Sequence, residues 1–162
     1  MKNAQNPTPT EADQRNALHD LICKVQLAFD LHDWDLLESC LHHEVYTDYS
    51  SFRATQPGMQ TREEYVALRR QALSNLSMQH NFLNLRIELA ADAATGYCNY
   101  AIHRFEVRAG AAQDFFHSFG RYVFNFVRAD GEWAISGIKQ DLTANVGNPE
   151  LHTGSAAHSK NR

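Results

Sequence analysis

The hydrophobic pattern changes its period once along the chain, close to Asn75. Before this residue apolar side chains recur at helical spacing, and after it they alternate with polar ones, as in strands. The alternating part is predicted to form four strands, at 78–89, 96–107, 114–128 and 132–142, with turns at 91–92, Gly110 and the Asp130-Gly131 hairpin pair. Helices followed by antiparallel strands predict an α+β fold, in which a curved sheet wraps against the helices.

Three helices are predicted before this change. The first spans 11–30, and Asp33 is expected to cap a second helix that ends at Leu41. The third begins at a Thr-Arg-Glu-Glu capping box at 61–64. The other predictions for this half are a strand at 44–49, a loop at 50–60, and buried side chains of Leu18, Leu21, Ile22, Val25, Phe29, Trp34, Leu37, Leu41, Tyr65, Leu68, Ala72 and Leu76.

A length of 162 residues is enough for one domain with a hydrophobic core. We place this domain at 11–142. The polar residues 1–10 before it are expected to be a disordered lead-in. Residues 143–162 after it show no periodicity and are expected to be a flexible tail.

Charge and composition exclude several kinds of partner. The 15 basic and 19 acidic residues are mixed along the chain, with a net charge of −4 and no basic run, so we expect no nucleic-acid partner. No apolar run approaches the roughly 20 residues that cross a bilayer, so we expect no membrane association and a cytoplasmic location. Cys23, Cys40 and Cys98 are widely spaced, which indicates reduced thiols rather than disulfides or zinc ligands.

Asp30 and Tyr49 are the first candidates for chemistry. Asp30 lies on the flank of the apolar stripe in the last turn of the first helix, where the helix dipole disfavours a negative charge by about 0.3–1 kcal/mol. Tyr49 closes a predicted strand and could donate a hydrogen bond to an oxygen on which charge develops. Taken alone, the tyrosine is as easily explained by packing in the core.

Two histidines occupy consecutive predicted strands. His80 and His103 would each, taken alone, more often be a hydrogen-bonded core residue than a catalyst. Together with Asp30 they predict a polar cluster inside an aromatic pocket, because every buried polar group must find a partner. Histidine titrates near neutrality, with an ordinary pKa of about 6.5, and a carboxylate on one ring nitrogen fixes the tautomer. An Asp30–His80 pair is therefore a candidate general base.

The first long strand contains an inconsistency. Leu83, Leu85, Ile87 and Leu89 alternate on the face opposite His80. Either that face meets another subunit, or a bulge switches the two faces midway along the strand. We favour the subunit contact, and we expect a homo-oligomer.

Five segments carry a resemblance to a known family. They are FDLHDWDLLESCL at 29–41, TDYSSF at 47–52, MQHNFLN at 78–84, IHRF at 102–105 and DGEWAISGIK at 130–139. On these segments the chain resembles the scytalone dehydratase branch of the SnoaL-like superfamily, also called nuclear-transport-factor-two-like, and it is similar to lindane dehydrochlorinases. The resemblance covers roughly 11–142. It implies a cone-shaped α+β barrel with a mainly antiparallel sheet, no cofactor, and a homotrimer, with a dimer as the alternative.

The resemblance also implies roles for single residues. Asp30, Tyr49, His80 and His103 correspond to the catalytic residues of the family. A second active-site tyrosine of the family falls on Phe29, and the serine and asparagine that contact substrate oxygens fall on Gly120 and Tyr122. The catalytic residues are therefore kept while the residues that orient the substrate differ. The substrate-binding residues that we predict are Phe29, Trp34, Phe52, Asn84 and Tyr122.

These observations predict a dehydratase or other lyase, without cofactor or metal, that acts on a small cyclic or aromatic hydroxy ketone. His80 would take a proton while Asp30 holds its ring, Tyr49 would stabilise the oxyanion, and His103 would bind or protonate the leaving group. One alternative is an isomerase or polyketide-cyclase-like enzyme with the same dyad. Another is a non-catalytic module for small-molecule binding or assembly.

Overall fold

In the described part of the chain, two short strands lie between the second and third α-helices, and four long strands follow the third helix, as the change of period predicts. The computed structural model describes residues 8–53, 55–106 and 114–152. Its elements are α1 (Glu11–Leu31), α2 (Trp34–Ser39), β1 (Leu41–Asp48), β2 (Gly58–Thr61), α3 (Arg62–Leu73), β3 (Leu76–Leu89), β4 (Ala93–Glu106), β5 (Phe115–Ala129), β6 (Glu132–Gly147) and a 3₁₀ helix (Pro149–His152). The α+β class is confirmed.

One curved, open sheet contains all six strands, in the order β2-β1-β6-β5-β4-β3. The four long strands β3 to β6 form an antiparallel meander, and β1 joins it by parallel pairing with β6. The mainly antiparallel sheet is therefore confirmed. Asp130 and Gly131 both have positive φ, at 52° and 86°, as the tight hairpin between β5 and β6 requires.

Helix α1 packs against β3 and supplies a large part of the core. The side chain of Thr10 accepts from the backbone N–H of Asp13, and the Asp13 carboxylate accepts from the backbone of Thr10, so the helix begins at a full capping box. Thr61 and Glu64 form the predicted box at the start of α3. The predicted stripe of α1 is buried, and it consists of Leu18, Leu21, Ile22, Val25 and Phe29. Its burial holds the last turn of α1, with Asp30, against the sheet.

Several boundaries in the first half differ from the prediction. Helix α2 ends at Ser39, because Leu41 already pairs with Ile135 of β6 as the first residue of β1. The predicted loop at 50–60 contains β2, which pairs with β1. In α3 the buried residues are Tyr65, Val66, Arg69 and Leu73, whereas Leu68 is 53% exposed and Leu76 belongs to β3.

A bulge resolves the inconsistency on β3. Asn84 has a φ of 58°, and the pairing with β4 shifts between Leu83 and Arg86. Asparagine adopts this left-handed backbone more readily than most residues. The shift turns Leu85, Ile87 and Leu89 onto the core side of the sheet, where they are partly buried. Our preference for a subunit contact of this leucine run was therefore wrong.

The domain extends past the predicted end at residue 142. Strand β6 continues to Gly147, because Phe116, His117 and Ser118 of β5 provide pairing partners for its last residues. The 3₁₀ helix follows, with Leu151 buried. Residues 1–7 of the lead-in, the Gly110 turn and the tail from 153 onward lie outside the described residues. Among the helices that the structure describes, none has the length and apolar composition to cross a membrane.

Gly120 provides a test of this architecture. It lies where the pairing of β5 with β6 shifts, and a Cβ atom there would collide with the carbonyl oxygen of Asp141 and lie 2.8 Å from the ring of Tyr100. Gly120→Ala should therefore lower the free energy of unfolding by about 1–3 kcal/mol or more. Gly58→Ala is the matched control, since nothing lies within 4 Å of its Cβ position. Urea denaturation measures both, and equal stability of the two variants would contradict the described backbone approach.

Candidate active site

Asp30 and His80 form a hydrogen-bonded pair between the last turn of α1 and strand β3. The Nδ1 atom of His80 lies 2.7 Å from Oδ1 of Asp30, and the backbone N–H of His80 donates to both carboxylate oxygens at 2.9 and 3.0 Å. The two side chains are 5% and 21% exposed. Because an ionised carboxylate only accepts hydrogen bonds, Nδ1 carries the proton and Nε2 is the basic nitrogen. The structure thus brings together the two residues predicted as a dyad.

Aromatic rings enclose this histidine. Phe29 stacks on the imidazole with ring centres 5.0 Å apart, and Phe82 contacts it edge-on at 6.2 Å. Trp34 contacts Phe29 edge-on, with ring centres 6.4 Å apart, and stacks on His32. Phe29 therefore contacts the candidate base directly, while Trp34 positions Phe29 rather than lining the pocket.

Burial changes the proton affinity of His80. Loss of solvent lowers its pKa below the ordinary value of 6.5, and the positive charge of Arg104 lowers it further, while the hydrogen bond that His80 donates to Asp30 opposes this change. The imidazole is consequently neutral at pH 7. A neutral ring with its Nδ1 proton held by a carboxylate is the form in which histidine accepts a proton.

A second polar group lies across the pocket. Tyr49, just after β1, and Tyr65, on α3, are joined by a hydrogen bond of 2.9 Å between their hydroxyl oxygens. The guanidinium of Arg69 lies 4.5 Å from the ring centre of Tyr49 and 4.8 Å from that of Tyr65. Burial raises the pKa of Tyr65 well above its ordinary value of 10. Tyr65 therefore remains a hydroxyl that can donate a hydrogen bond at neutral pH.

These groups line one pocket between α1, α3 and the concave face of the sheet. Its interior has about 30 Å³ of space for water and opens to solvent, which is room for about two water molecules. A ring-sized ligand therefore needs neighbouring side chains to move apart. The lining residues are Val25, Phe29, Tyr49, Arg53, Tyr65, Arg69, Leu73, His80, Phe82, Arg104, Tyr122, Phe124, Ile138 and Gln140.

His103 lies on the opposite face of the sheet. In the antiparallel pairing of β3 with β4, His80 is opposite Ile102, and His103 is opposite Gln79. Directly opposite residues share a face, so His103 is turned away from His80 and packs against His117, with ring centres 4.6 Å apart. The predicted convergence of the two histidines in one pocket is therefore wrong. Arg104, the next residue, faces the pocket instead.

The predicted substrate-binding residues divide in the same way. Phe29 and Tyr122 line the pocket. Asn84 does not, because it lies exposed at the bulge of β3. Phe52 stacks on Phe116, with ring centres 6.1 Å apart, at the edge of the core.

The pocket arginines were not among the predicted site residues, and Tyr65 was predicted only as a buried core residue. Arg69 is four residues after Tyr65, so the two share a helix face. Arg104 is two residues after the buried Ile102 on a strand, so these two also share a face. Both patterns are visible in the sequence, but charged residues are rarely buried and we assigned neither arginine to the interior. Within the described part of the chain, no three His, Cys, Asp or Glu side chains are grouped closely enough to hold a metal ion.

Comparison with known families agrees with this architecture. The family model described as SnoaL-like domain matches residues 10–139, most of the chain. The chain belongs to the SnoaL-like domain family. This confirms the resemblance seen in the sequence. No curated protein sequence matches the chain.

Several solved structures share the SnoaL-like fold. The Kfla4162 protein from Kribbella flavida is 19% identical with a TM-score of 0.83, and the match covers 90% of this chain and all of that one. The hexachlorocyclohexane dehydrochlorinase LinA-type3 from Novosphingobium barchaimii is 17% identical with a TM-score of 0.70, covering 85% and 91%. A proposed scytalone dehydratase from Novosphingobium aromaticivorans is 13% identical with a TM-score of 0.70, covering 83% and 87%. At these identities the likeness shows the fold.

The charge of Arg104 should be measurable at His80. Arg104→Gln removes a positive charge that disfavours the imidazolium, so the pKa of His80 should rise. Asp30→Asn removes the group that favours the imidazolium, so the same pKa should fall. NMR titration of the His80 ring measures both shifts.

Arg121→Gln is the matched control for this titration. Arg121 is exposed on β5, on the face of the sheet opposite His80. Its replacement should leave the pKa of His80 unchanged. An unchanged pKa in Arg104→Gln as well would show that the arginine does not act on the dyad.

Proposed function

We propose that this SnoaL-like protein is a cofactor-independent lyase that removes water from a small cyclic or aromatic hydroxy ketone by general acid–base catalysis. The observation that carries the proposal is the 2.7 Å bond between His80 Nδ1 and the Asp30 carboxylate, at a pocket lined by aromatic side chains. Fold likeness to a proposed scytalone dehydratase and to a dehydrochlorinase supports it. The homotrimer and the cytoplasmic location stay predictions.

The first step in this proposal is removal of a proton next to the substrate carbonyl. His80 Nε2 takes the proton, and the C–H electron pair moves toward the carbonyl to form an enolate. Asp30 holds the ring through Nδ1 and stabilises the imidazolium as it forms. The lowered pKa of His80 keeps the nitrogen unprotonated at neutral pH before substrate arrives.

The tyrosine pair supplies hydrogen bonding to the developing enolate oxygen. Either hydroxyl could donate in the Tyr49–Tyr65 hydrogen bond. In this proposal Tyr65 donates, which leaves the Tyr49 proton for the substrate. The Arg69 guanidinium, which lies over both tyrosine rings, further stabilises the negative charge on the enolate oxygen. In this proposal Tyr49 takes the role predicted from the sequence, and Tyr65 positions it.

The second step is loss of the hydroxyl group. The enolate electrons form the C=C bond as the C–O bond breaks, and the departing oxygen takes a proton to leave as water. We assign this proton to the His80 imidazolium, since His103 lies on the other face of the sheet. One residue then acts first as base and afterwards as acid.

An isomerase or polyketide-cyclase-like reaction is the second candidate. It needs one base that returns its proton to another position of the same substrate, without a separate acid for a leaving group. The observation that favours it is that, in the described pocket lining, His80 is the only histidine and no carboxylate is present. Both candidates use the same enolate.

Proton NMR in deuterated water separates the candidates. The probe is a β-hydroxytetralone, which gives a naphthol when it loses water. A naphthol product supports the lyase, and deuterium at the carbon next to the carbonyl without loss of water supports the isomerase. A probe that binds and shows neither change would favour a non-catalytic module.

The dyad should be essential for either reaction. Asp30→Asn and His80→Gln should each lower the rate of deuterium exchange or elimination by at least about 10²-fold, the lower end of what positioned proton transfer contributes. His103→Gln is the matched control and should retain the rate, because this histidine faces away from the pocket. A loss of rate in His103→Gln equal to that in His80→Gln would contradict the proposed site.

Removal of the Tyr49 hydroxyl tests the oxyanion contact. Tyr49→Phe should lower kcat by about 10²–10³-fold, as the loss of one such donor does elsewhere. Tyr65→Phe should have a smaller effect, since Tyr65 acts through Tyr49. Steady-state kinetics measures both, and a larger loss in Tyr65→Phe would assign the donor role to Tyr65.

A further inference from the structure

Two arginines are buried in the pocket. Arg69 on α3 is 7% exposed, and Arg104 on β4 is 3% exposed. Both line the same pocket as His80. An arginine side chain keeps its positive charge at any physiological pH, so the pocket contains two charges that water hardly reaches.

The described part of the chain places no paired carboxylate on either arginine. Among the described residues, no carboxylate forms an ion pair with Arg69 or Arg104. The carboxylate of Asp30 is occupied by His80. An uncompensated buried charge is unfavourable, so a ligand that brings a negative charge would stabilise the pair.

Both guanidinium groups also have hydrogen-bonding capacity left. Arg104 donates from Nη1 to the Ser118 hydroxyl at 2.9 Å, while its buried Nε has no partner. Arg69 lies over two tyrosine rings, and its buried Nε also has no partner. Burial lowers the pKa of Arg104 to about 10, and the charges of Arg53 and Arg69 contribute to this.

We propose that the substrate is an anion, a small ring compound whose carboxylate binds between Arg69 and Arg104 while its acidic carbon faces His80. This inference rests on the proposed function, because it names the substrate class of the same site. A carboxylate matches the planar fork of a guanidinium with two parallel hydrogen bonds. A phenol would not neutralise the pair, since it is uncharged at pH 7.

The bound carboxylate would also act on the base. The positive charge of Arg104 disfavours the imidazolium form of His80. A carboxylate placed against Arg104 offsets that charge, so His80 becomes a stronger base when substrate is present. Binding and proton abstraction are then coupled through one arginine.

Calorimetric titration with benzoate and benzamide at pH 7 tests the inference. The two probes have nearly the same shape and differ in charge. Wild-type protein should bind benzoate at least tenfold more tightly than benzamide. Equal affinities would overturn the proposal.

Glutamine variants assign the effect to the two arginines. Arg69→Gln and Arg104→Gln should each weaken benzoate binding at least tenfold more than they weaken benzamide binding. Arg70→Gln and Arg121→Gln are the matched controls, because Arg70 is the exposed neighbour of Arg69 on α3 and Arg121 is exposed on the other face of the sheet. Equal losses in the controls would show a general charge effect and overturn the site.

Two further measurements keep the outcomes separate. Benzoate should raise the melting temperature of the wild-type protein more than benzamide does, which decides the question even where a glutamine variant fails to fold. Asp30→Asn should retain the preference for benzoate while it loses turnover. A dyad-dependent reaction without charge preference would overturn this inference alone, and charge preference without any dyad-dependent reaction would overturn the proposed function alone.

Discussion

The carboxylate of Asp30 joins the helical layer to the sheet. It accepts hydrogen bonds from the backbone and from the ring of His80, although its position in the last turn of α1 is unfavourable for a negative charge. The three contacts compensate for that position and fix the distance between α1 and β3. Phe29, one residue earlier, is thereby placed against the imidazole. The pocket depends on this junction, because its walls are the two elements that the junction connects.

The fold could be predicted because it follows from local periodicity. The change of period near Asn75, the capping box at Thr61 and the Asp130-Gly131 hairpin each depend on residues close together in sequence. The Asp30–His80 pair could also be predicted, since an aspartate that closes an apolar helix needs a partner from the layer on which the helix packs. These predictions required no knowledge of how the strands pair.

Predictions about which face of the sheet a residue occupies failed where they depended on register. An error of one residue in the register assigns every side chain of a strand to the wrong face. His103 and Arg104 are adjacent, and it is Arg104 that lines the pocket while His103 faces outward. The bulge at Asn84 exchanges the faces of β3 midway. In α3 a similar small error of phase led us to bury Leu68 instead of Arg69. Register and phase are decided by long-range pairing and packing, which one sequence does not show.

The buried arginines connect stability, binding and chemistry in one site. Their buried charges are unfavourable, because neither has a carboxylate partner among the described residues. Burial lowers the pKa of His80 and the charge of Arg104 lowers it further, while Arg69 lies over the two tyrosine rings. A neutral pocket would be easier to fold but would give the imidazole no such bias. If an anion binds between them, the two buried arginines, which are unfavourable alone, become the groups that select the substrate. The substrate carboxylate in turn makes His80 a stronger base.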